Sequence, residues 1–412
     1  MRITFVVQRY GDEFVGGAEK YVLNMATGLA ASGHHIEVVT SCATSYADWA
    51  DDYEPGTTTL SGVIVHRLPG RGPRQNERFI PLHLRAVDVA DLPLWPWAQD
   101  RWSQTMGPDM PGAEPAVAEA ARRSDITVLV GYHYSHSMRL TLAAAANGPT
   151  VVVPTAHPEG AFYVGRVRQM FEHADRVICL SPEEADLVAD VHGVRDRISY
   201  VPCPVEPIQP PSPEHIDQVL AGLGITEGRY VVVVGRVDPA KGSDDAVRFV
   251  ELFRRAVDPG MELVVVGPGD LNADVDDGVR AVGFVDEDTK NALIAGSVAL
   301  IQPSYMESFS LSLIEGWMLG RPVLVQERSR VLAGHVERSG GGIPYSGYLS
   351  FEAGLAALLQ DPALGRSLAA AGREYALHEF AWDRVARHFL AALERATSEG
   401  RQRMERTSGV MA

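Results

Sequence analysis

Short apolar runs that end in a glycine or polar turn and lead into an amphipathic stretch recur throughout this 412-residue chain. That alternation confines it to α/β architectures with mainly parallel sheets. The run Ile3–Val7 is apolar throughout, as expected of a strand buried on both faces. A turn, Val15-Gly16-Gly17-Ala18, follows it, and then Ala18, Tyr21, Val22, Met25, Ala26, Leu29 and Ala30 fall at helical spacing before Gly33. With Ile36–Thr40 as the next strand, this is a βαβ unit. Ile126–Val130, Thr150–Val153 and Arg176–Leu180 repeat the pattern. Residues 202–213, PCPVEPIQPPSP, hold six prolines and exclude helix or central strand. Beyond them the pattern restarts with Tyr230–Val234, Glu262–Val266, Ala281–Val285, Val298–Ile301 and Pro322–Val325. The expectation is two doubly wound, Rossmann-like parallel-sheet domains: residues 1–203, a proline-rich linker 204–213, and residues 214–382. A helix at about 383–396 is expected to return to the first domain, followed by a frayed polar tail, 397–412. In such sheets ligands sit beyond the carboxyl ends of the strands, so the loops there are the places to search.

Composition narrows the function. A net charge of -16 argues against a nucleic-acid partner, whose footprint would be basic. No window reaches the ~18 uninterrupted apolar residues of a membrane span. The run behind the N-terminal Met is too short for a signal-peptide core. Cys42, Cys179 and Cys203 are too widely spaced for a disulfide framework or a zinc knuckle. The chain reads as a soluble cytoplasmic two-domain protein. Only Lys20, Lys241 and Lys290 are lysines, against 34 arginines, so a lysine at a glycine turn stands out.

Two strand-end segments could bind a diphosphate. Glu307-Ser308-Phe309-Ser310-Leu311-Ser312-Leu313-Ile314-Glu315 follows the strand 298–301 and enters a helix expected near Ser312. Free amides at its start, with the helix dipole behind them, make an anion site. Glu307 and Glu315 suit hydroxyls flanking the phosphates, although glutamates are also ordinary near helix starts. Gly235-Arg236-Val237-Asp238-Pro239-Ala240-Lys241-Gly242 puts two cations at the end of another strand, placed to neutralise a leaving diphosphate. Gly16-Gly17 would let a ligand approach backbone closely, but it is not a dinucleotide fingerprint. His157 follows the strand 150–153. His133 and His136 lack a third metal ligand and are read as structural. Asp274-Val275-Asp276 has the form of a metal-binding Asp-x-Asp but is read as a solvated acidic loop. Residues 66–85 carry Arg67, Arg71, Arg74, Arg78 and Arg85, with Trp95, Trp97 and Trp102 beyond them. A solvated loop beside an aromatic cluster is the reading preferred over a lipid-linked acceptor or membrane surface.

With these residues in place, the chain resembles the retaining GT-B glycosyltransferases, in particular family 4. The Glu-x7-Glu segment 307–315, the turn 235–242 and Gly320-Arg321-Pro322-Val323 are similar to that family's donor signature. Gln8-Arg9-Tyr10-Gly11, Gly16-Gly17-Ala18-Glu19 and Pro154-Thr155-Ala156-His157 resemble a bacterial surface-polysaccharide subgroup. The resemblance implies two domains facing across a cleft and a sugar moved from a nucleotide diphosphate sugar to a hydroxyl of a glycan, glycolipid or small-molecule acceptor. It implies retention, with no metal or other cofactor. Arg236 and Lys241 would hold the diphosphate with backbone around Phe309, Ser310, Leu311 and Ser312. Glu315 would take the ribose, Glu307 and His157 the sugar, and Val282 to Phe284 the base. Gly16 and Gly17 would border the donor. Glu307, His157, Arg236 and Lys241 are thus the catalytic candidates. Ser310 stands where the family has Gly, and Pro202-Cys203-Pro204 where it has Pro-Asn-Gly. A sugar-nucleotide 2-epimerase and a non-catalytic nucleotide-sugar-binding protein are the alternatives. A UDP-sugar isomerised without any acceptor would indicate the first, and donor binding without release of nucleoside diphosphate the second.

Overall fold

A computed structural model of the chain describes all residues except Val15, 89–94, 239–240, 270, 272–277 and 411–412, and describes only the backbone of 88 and 408–410. It divides into two units, Met1–Pro204 with Trp382–Ala412, and Val205–Ala381.

Among the described residues, the first unit holds eight strands: β1 (Arg2–Val6), β2 (His35–Ser41), β3 (Gly56–Leu60), β4 (Val63–Leu68), β5 (Ile126–Val130), β6 (Thr150–Val153), β7 (Arg176–Cys179) and β8 (Ile198–Tyr200). Their order is β3-β4-β2-β1-β5-β6-β7-β8, parallel apart from the β3–β4 hairpin. Phe5, Val128 and Val152 are fully buried, as apolar runs covered on both faces should be. The chain leaves β1 on one side for β2 and later returns on the other for β5, so the switch point lies between β1 and β5.

The second unit is built alike. β9 (Tyr230–Val234), β10 (Glu262–Val266), β11 (Val279–Gly283), β12 (Leu300–Gln302), β13 (Val323–Gln326) and β14 (Gly342–Tyr345) form an all-parallel sheet in the order β11-β10-β9-β12-β13-β14. Its switch point is between β9 and β12. Trp317, Tyr345 and Phe351 anchor its core.

Three expectations need correction. The expected frayed tail is helical as far as it is described: one helix runs through Trp382–Val410 and packs with the first unit. Ion pairs rather than an apolar stripe hold its second half. Arg403 Nε donates to Asp175 Oδ1 at 2.8 Å, and Arg176 Nη1 to Glu399 Oε1 at 2.7 Å. The proline run also ends within a helix. Val205–Ser212 has neither helix nor strand and belongs to the second unit, and Pro213 opens the helix Pro213–Leu223 with Ser212 as its cap. Proline is tolerated at the first helical position because its missing N–H has no partner there. Finally, residues 66–85 are a loop only at 69–75. They run from β4 into the helix Asn76–Asp88, which contains Pro81.

Candidate functional site

The loops leaving β9 and β12 meet at the switch point of the second unit. Gly242 has φ +73°, and a Cβ built there would lie 2.2 Å from the carbonyl oxygen of Pro303. Only glycine lets the two loops approach this closely. The approach brings Lys241 Nζ to 2.8 Å from Glu307 Oε1. Arg236, half-exposed, pairs with Asp238 at 3.2 Å. The helix after β12 spans Leu311–Met318, beginning one residue before the expected Ser312, and no side chain caps it. Its N-terminal amides therefore remain an anion site.

Ser310 precedes that helix with φ +75°, the left-handed conformation that glycine adopts without cost. The loop keeps this conformation despite the side chain because Gln302 Nε2 donates to both Ser310 Oγ and Ser312 Oγ at 2.7 Å. Below, His335 Nε2–H donates to the Phe309 carbonyl at 2.9 Å, and the Phe309 ring packs against His335 and Phe380. The Phe309 side chain is buried, so only its backbone borders the loop. Burial lowers the His335 pKa to about 3, so this support stays neutral.

Glu315, one turn into the helix, accepts from Lys290 Nζ at 3.0 Å. The same ammonium reaches Glu287 at 2.8 Å. Burial alone would lower the Lys290 pKa, but the Glu315 and Glu287 carboxylates outweigh it and raise the value. Lys290 lies on the helix Glu287–Ala295, just after β11 and the half-buried Val282. Phe284 is 65% exposed there, a flat apolar face open to a ring.

In the first unit, Gly16 caps the helix Gly17–Ala31. A Cβ on Gly16 would meet the Glu19 carboxylate at 2.1 Å, whereas one on Gly17 would meet nothing within 4 Å. Buried Glu19 accepts from Gln8 Nε2 and from Arg9 Nε and Nη2, which pins the loop after β1. After β5 and β6, Glu159 accepts from His133 Nδ1 at 2.6 Å and from the Tyr132 hydroxyl. His157 Nδ1 lies 3.6 Å from the same carboxylate. Burial opposes ionisation of Glu159, but the hydrogen bond and charge of His133 prevail and hold its pKa near 2. His136 instead packs in the core with Nε2 on the Val130 carbonyl.

A family model described as "Glycosyl transferase 4-like domain" matches residues 16–204, and one described as "Glycosyl transferases group 1" matches 228–361. Both halves of the chain thus match glycosyltransferase family models. The curated relatives are similar over most of their length. A D-inositol 3-phosphate glycosyltransferase of Nocardia farcinica is 29% identical over 76% of this chain and 70% of the relative. One of Acidothermus cellulolyticus is 27% identical over 94% of this chain and 87% of the relative. Among solved structures, sucrose-phosphate synthase from Thermosynechococcus elongatus has a TM-score of 0.70 at 19% identity, covering 96% of this chain and 99% of that chain. Anabaena HepE in complex with UDP and glucose has a TM-score of 0.69 at 14% identity, with the same coverage. These show the GT-B fold. The chain is a glycosyltransferase that takes its sugar from a nucleotide-sugar donor.

The donor candidates Lys241, Glu307, Ser310, Leu311, Ser312 and Glu315 gather around one helix start in this glycosyltransferase. Sequence reasoning missed Lys290, Gln302, His133 and Glu159. Lysine scarcity could have flagged Lys290, since two of the three lysines hold the two glutamates of the Glu-x7-Glu segment. His133 was read as structural, but it joins the Glu159 cluster. In the Arg-rich segment, Arg71 pairs with Asp109, and Arg74 donates to the carbonyls of Tyr46, Ala47 and Met106. Trp102 is buried, while Trp95 and Trp97 are 72% and 66% exposed. Asp274-Val275-Asp276 lies outside the described residues. Among those described, no three His, Cys, Asp or Glu side chains converge as metal ligands, and no helix is long and apolar enough to cross a membrane.

Proposed function

We propose that this glycosyltransferase retains the anomeric configuration and binds the donor diphosphate at the N-terminus of the helix Leu311–Met318. The observation that carries this reading is the Lys241–Glu307 contact beside that uncapped helix start. A cation there meets the phosphate charge, and a carboxylate meets the sugar hydroxyls. Arg236 and the helix amides complete the grip, and Glu315 takes the ribose hydroxyls. The base lies against Phe284 and Val282. In the first unit, Gly17, where a Cβ would meet nothing within 4 Å, and His157 keep the donor and sugar roles that the resemblance implies.

In the transfer, the bond from the anomeric carbon to the diphosphate oxygen breaks and a bond to the acceptor oxygen forms on the same face. The acceptor proton passes to the departing phosphate. The protein supplies alignment and electrostatic stabilisation of the leaving group. The cations and amides neutralise the charge without a divalent ion, so transfer persists in EDTA. Exposed Trp95 and Trp97, with Ile80, Leu84, Arg78 and Arg85, suit a lipid-linked acceptor. Loss of sedimentation with anionic vesicles in Trp95→Ala/Trp97→Ala tests that part.

The deciding experiment is a thermal-shift screen against UDP-, GDP-, ADP- and dTDP-sugars, followed by NMR of the product's anomeric proton. Nucleoside diphosphate release with retained configuration is expected. Inversion, or isomerisation of a donor supplied without acceptor, would overturn the reading.

A further inference from the structure

Glu184 is a carboxyl that neither the donor site nor the Glu159 cluster uses, and it is 1% exposed. It lies in the first turn of the helix Pro182–His192, which follows β7, and Ser181 caps that helix by accepting from the Glu184 N–H. A glutamate at this position commonly turns back to the backbone at the helix start. One oxygen does so: Glu184 Oε2 accepts from Leu180 N–H at 2.6 Å. The other does something a cap does not require. Glu184 Oε1 accepts from the N–H of Ala156, 28 residues earlier, at 2.5 Å.

Ala156 sits between Thr155 and His157 in the loop after β6. Thr155 has φ +51°, a conformation that a β-branched residue holds only where its surroundings impose it. The loop is tied on both sides of that residue. Tyr132 N–H donates to the Pro154 carbonyl, and Ala156 N–H to Glu184. Without the second tie, nothing among the described hydrogen bonds holds the Ala156 amide in this direction. Burial pushes the Glu184 pKa up to about 8 against the two N–H donors, which pull it down. The titratable groups whose charge interacts with Glu184 are Tyr21 from the helix Gly17–Ala31 and Cys179 at the end of β7. Burial raises the pKa of both. A carboxyl kept in such surroundings is expensive unless it does something an apolar residue could not.

We propose that Glu184 is a positioning residue for His157, its buried carboxyl pinning the loop after β6 to the turn after β7. The inference rests on the role given to His157 above.

The test is Glu184→Gln, which keeps the volume but sets an amide NH2 against one of the two N–H groups. By residue-resolved hydrogen exchange, the Ala156 amide exchanges at least tenfold faster than in the unsubstituted protein, while the β5 and β9 amides are unchanged. In assays, kcat falls about tenfold with the donor KM unchanged. In a His157→Ala background, the same substitution changes kcat less than twofold, because its effect passes through that histidine. Thr155→Gly restores part of the loss by relieving the left-handed residue. Unchanged Ala156 exchange overturns the proposal, and so do Glu184→Gln and His157→Ala effects that multiply. Should the unsubstituted protein transfer no sugar, the functional reading fails, and the exchange measurement alone decides whether Glu184 pins the loop. Should Glu184→Gln not fold, Glu184→Asp, one methylene short of Ala156, takes its place with the same outcomes.

Discussion

Replacing Lys290 with Met keeps the aliphatic stem and removes only the ammonium that faces Glu315. The two groups are 3.0 Å apart, with side chains 11% and 14% exposed. At that distance and an effective dielectric constant of ~20, the attraction is about 5 kcal/mol. Removing one partner of a buried pair costs about 3–5 kcal/mol, because the other charge is left in poor solvent. The Glu287 contact adds little, since that carboxylate is 62% exposed. Lys290→Met should therefore lower the melting temperature of the second unit by on the order of 10 °C, at roughly 2–4 °C per kcal/mol for a unit of this size. Calorimetry of Lys290→Met, Glu315→Gln and the double substitution closes a cycle that isolates the pair. The double variant should recover most of the loss, since neutral Gln no longer needs the cation. A coupling below about 0.5 kcal/mol would refute the claim that Lys290 exists to hold Glu315. Nucleoside diphosphate titration adds a second readout: the single variant should bind more weakly, because the carboxylate assigned to the ribose has lost its anchor.

Lys241→Ala should lower turnover by roughly 10²–10³-fold, the typical loss on deleting one stabilising donor, and steady-state release of nucleoside diphosphate measures it. Wild-type turnover would remove Lys241 from the diphosphate site. Gly242→Ala should destabilise the second unit by more than ~1 kcal/mol, since alanine dislikes φ +73° and its Cβ would overlap the Pro303 carbonyl; urea unfolding checks this, and activity should fall with it as the two loops separate. Acid should weaken the protein through its buried histidines. Burial lowers the pKa values of His136 and His192 to about 4 and of His335 to about 3, so below pH 6.5 the unfolded chain takes up protons that the native one refuses. Stability therefore falls as pH drops from 6.5 towards 4, by about 2 kcal/mol per histidine at pH 5. His335→Gln should lose that much less between pH 7 and pH 5, and an equal loss would show that His335 titrates normally.

The alternation of apolar runs and amphipathic stretches made both sheets legible, because a strand buried on both faces leaves an uninterrupted signal. β1, β5, β6, β9 and β10 lie within a residue of where the pattern puts them. The β3–β4 hairpin was invisible. Gly56–Leu60 is exposed and carries three threonines, so no burial pattern marks it. The helix Asn76–Asp88 was hidden by Pro81 and by the arginines around it, of which Arg74, just before the helix, reaches backbone carbonyls. At the site, the Glu-x7-Glu spacing and the glycine turn were readable because each is a local signal. Their lysine partners were only half readable. Lys241 is marked by its turn, but Lys290 lies 25 residues before Glu315, and only the fold brings them together. The Glu184–Ala156 bond is of the same kind, joining loops after neighbouring strands that no periodicity connects.

The return of the helix Trp382–Val410 to the first unit has a consequence for synthesis. Arg403 reaches Asp175 and the carbonyls of Ala145 and Gly148, and Phe389 stacks on Phe5. A chain emerging from the ribosome can finish Val205–Ala381 while the earlier sheet still lacks this covering. The half that begins first is thus completed last, and until then Phe5 and its neighbours present an apolar surface to the surroundings. A stop codon placed just before Trp382 would therefore injure the domain that was translated first and spare the one translated second.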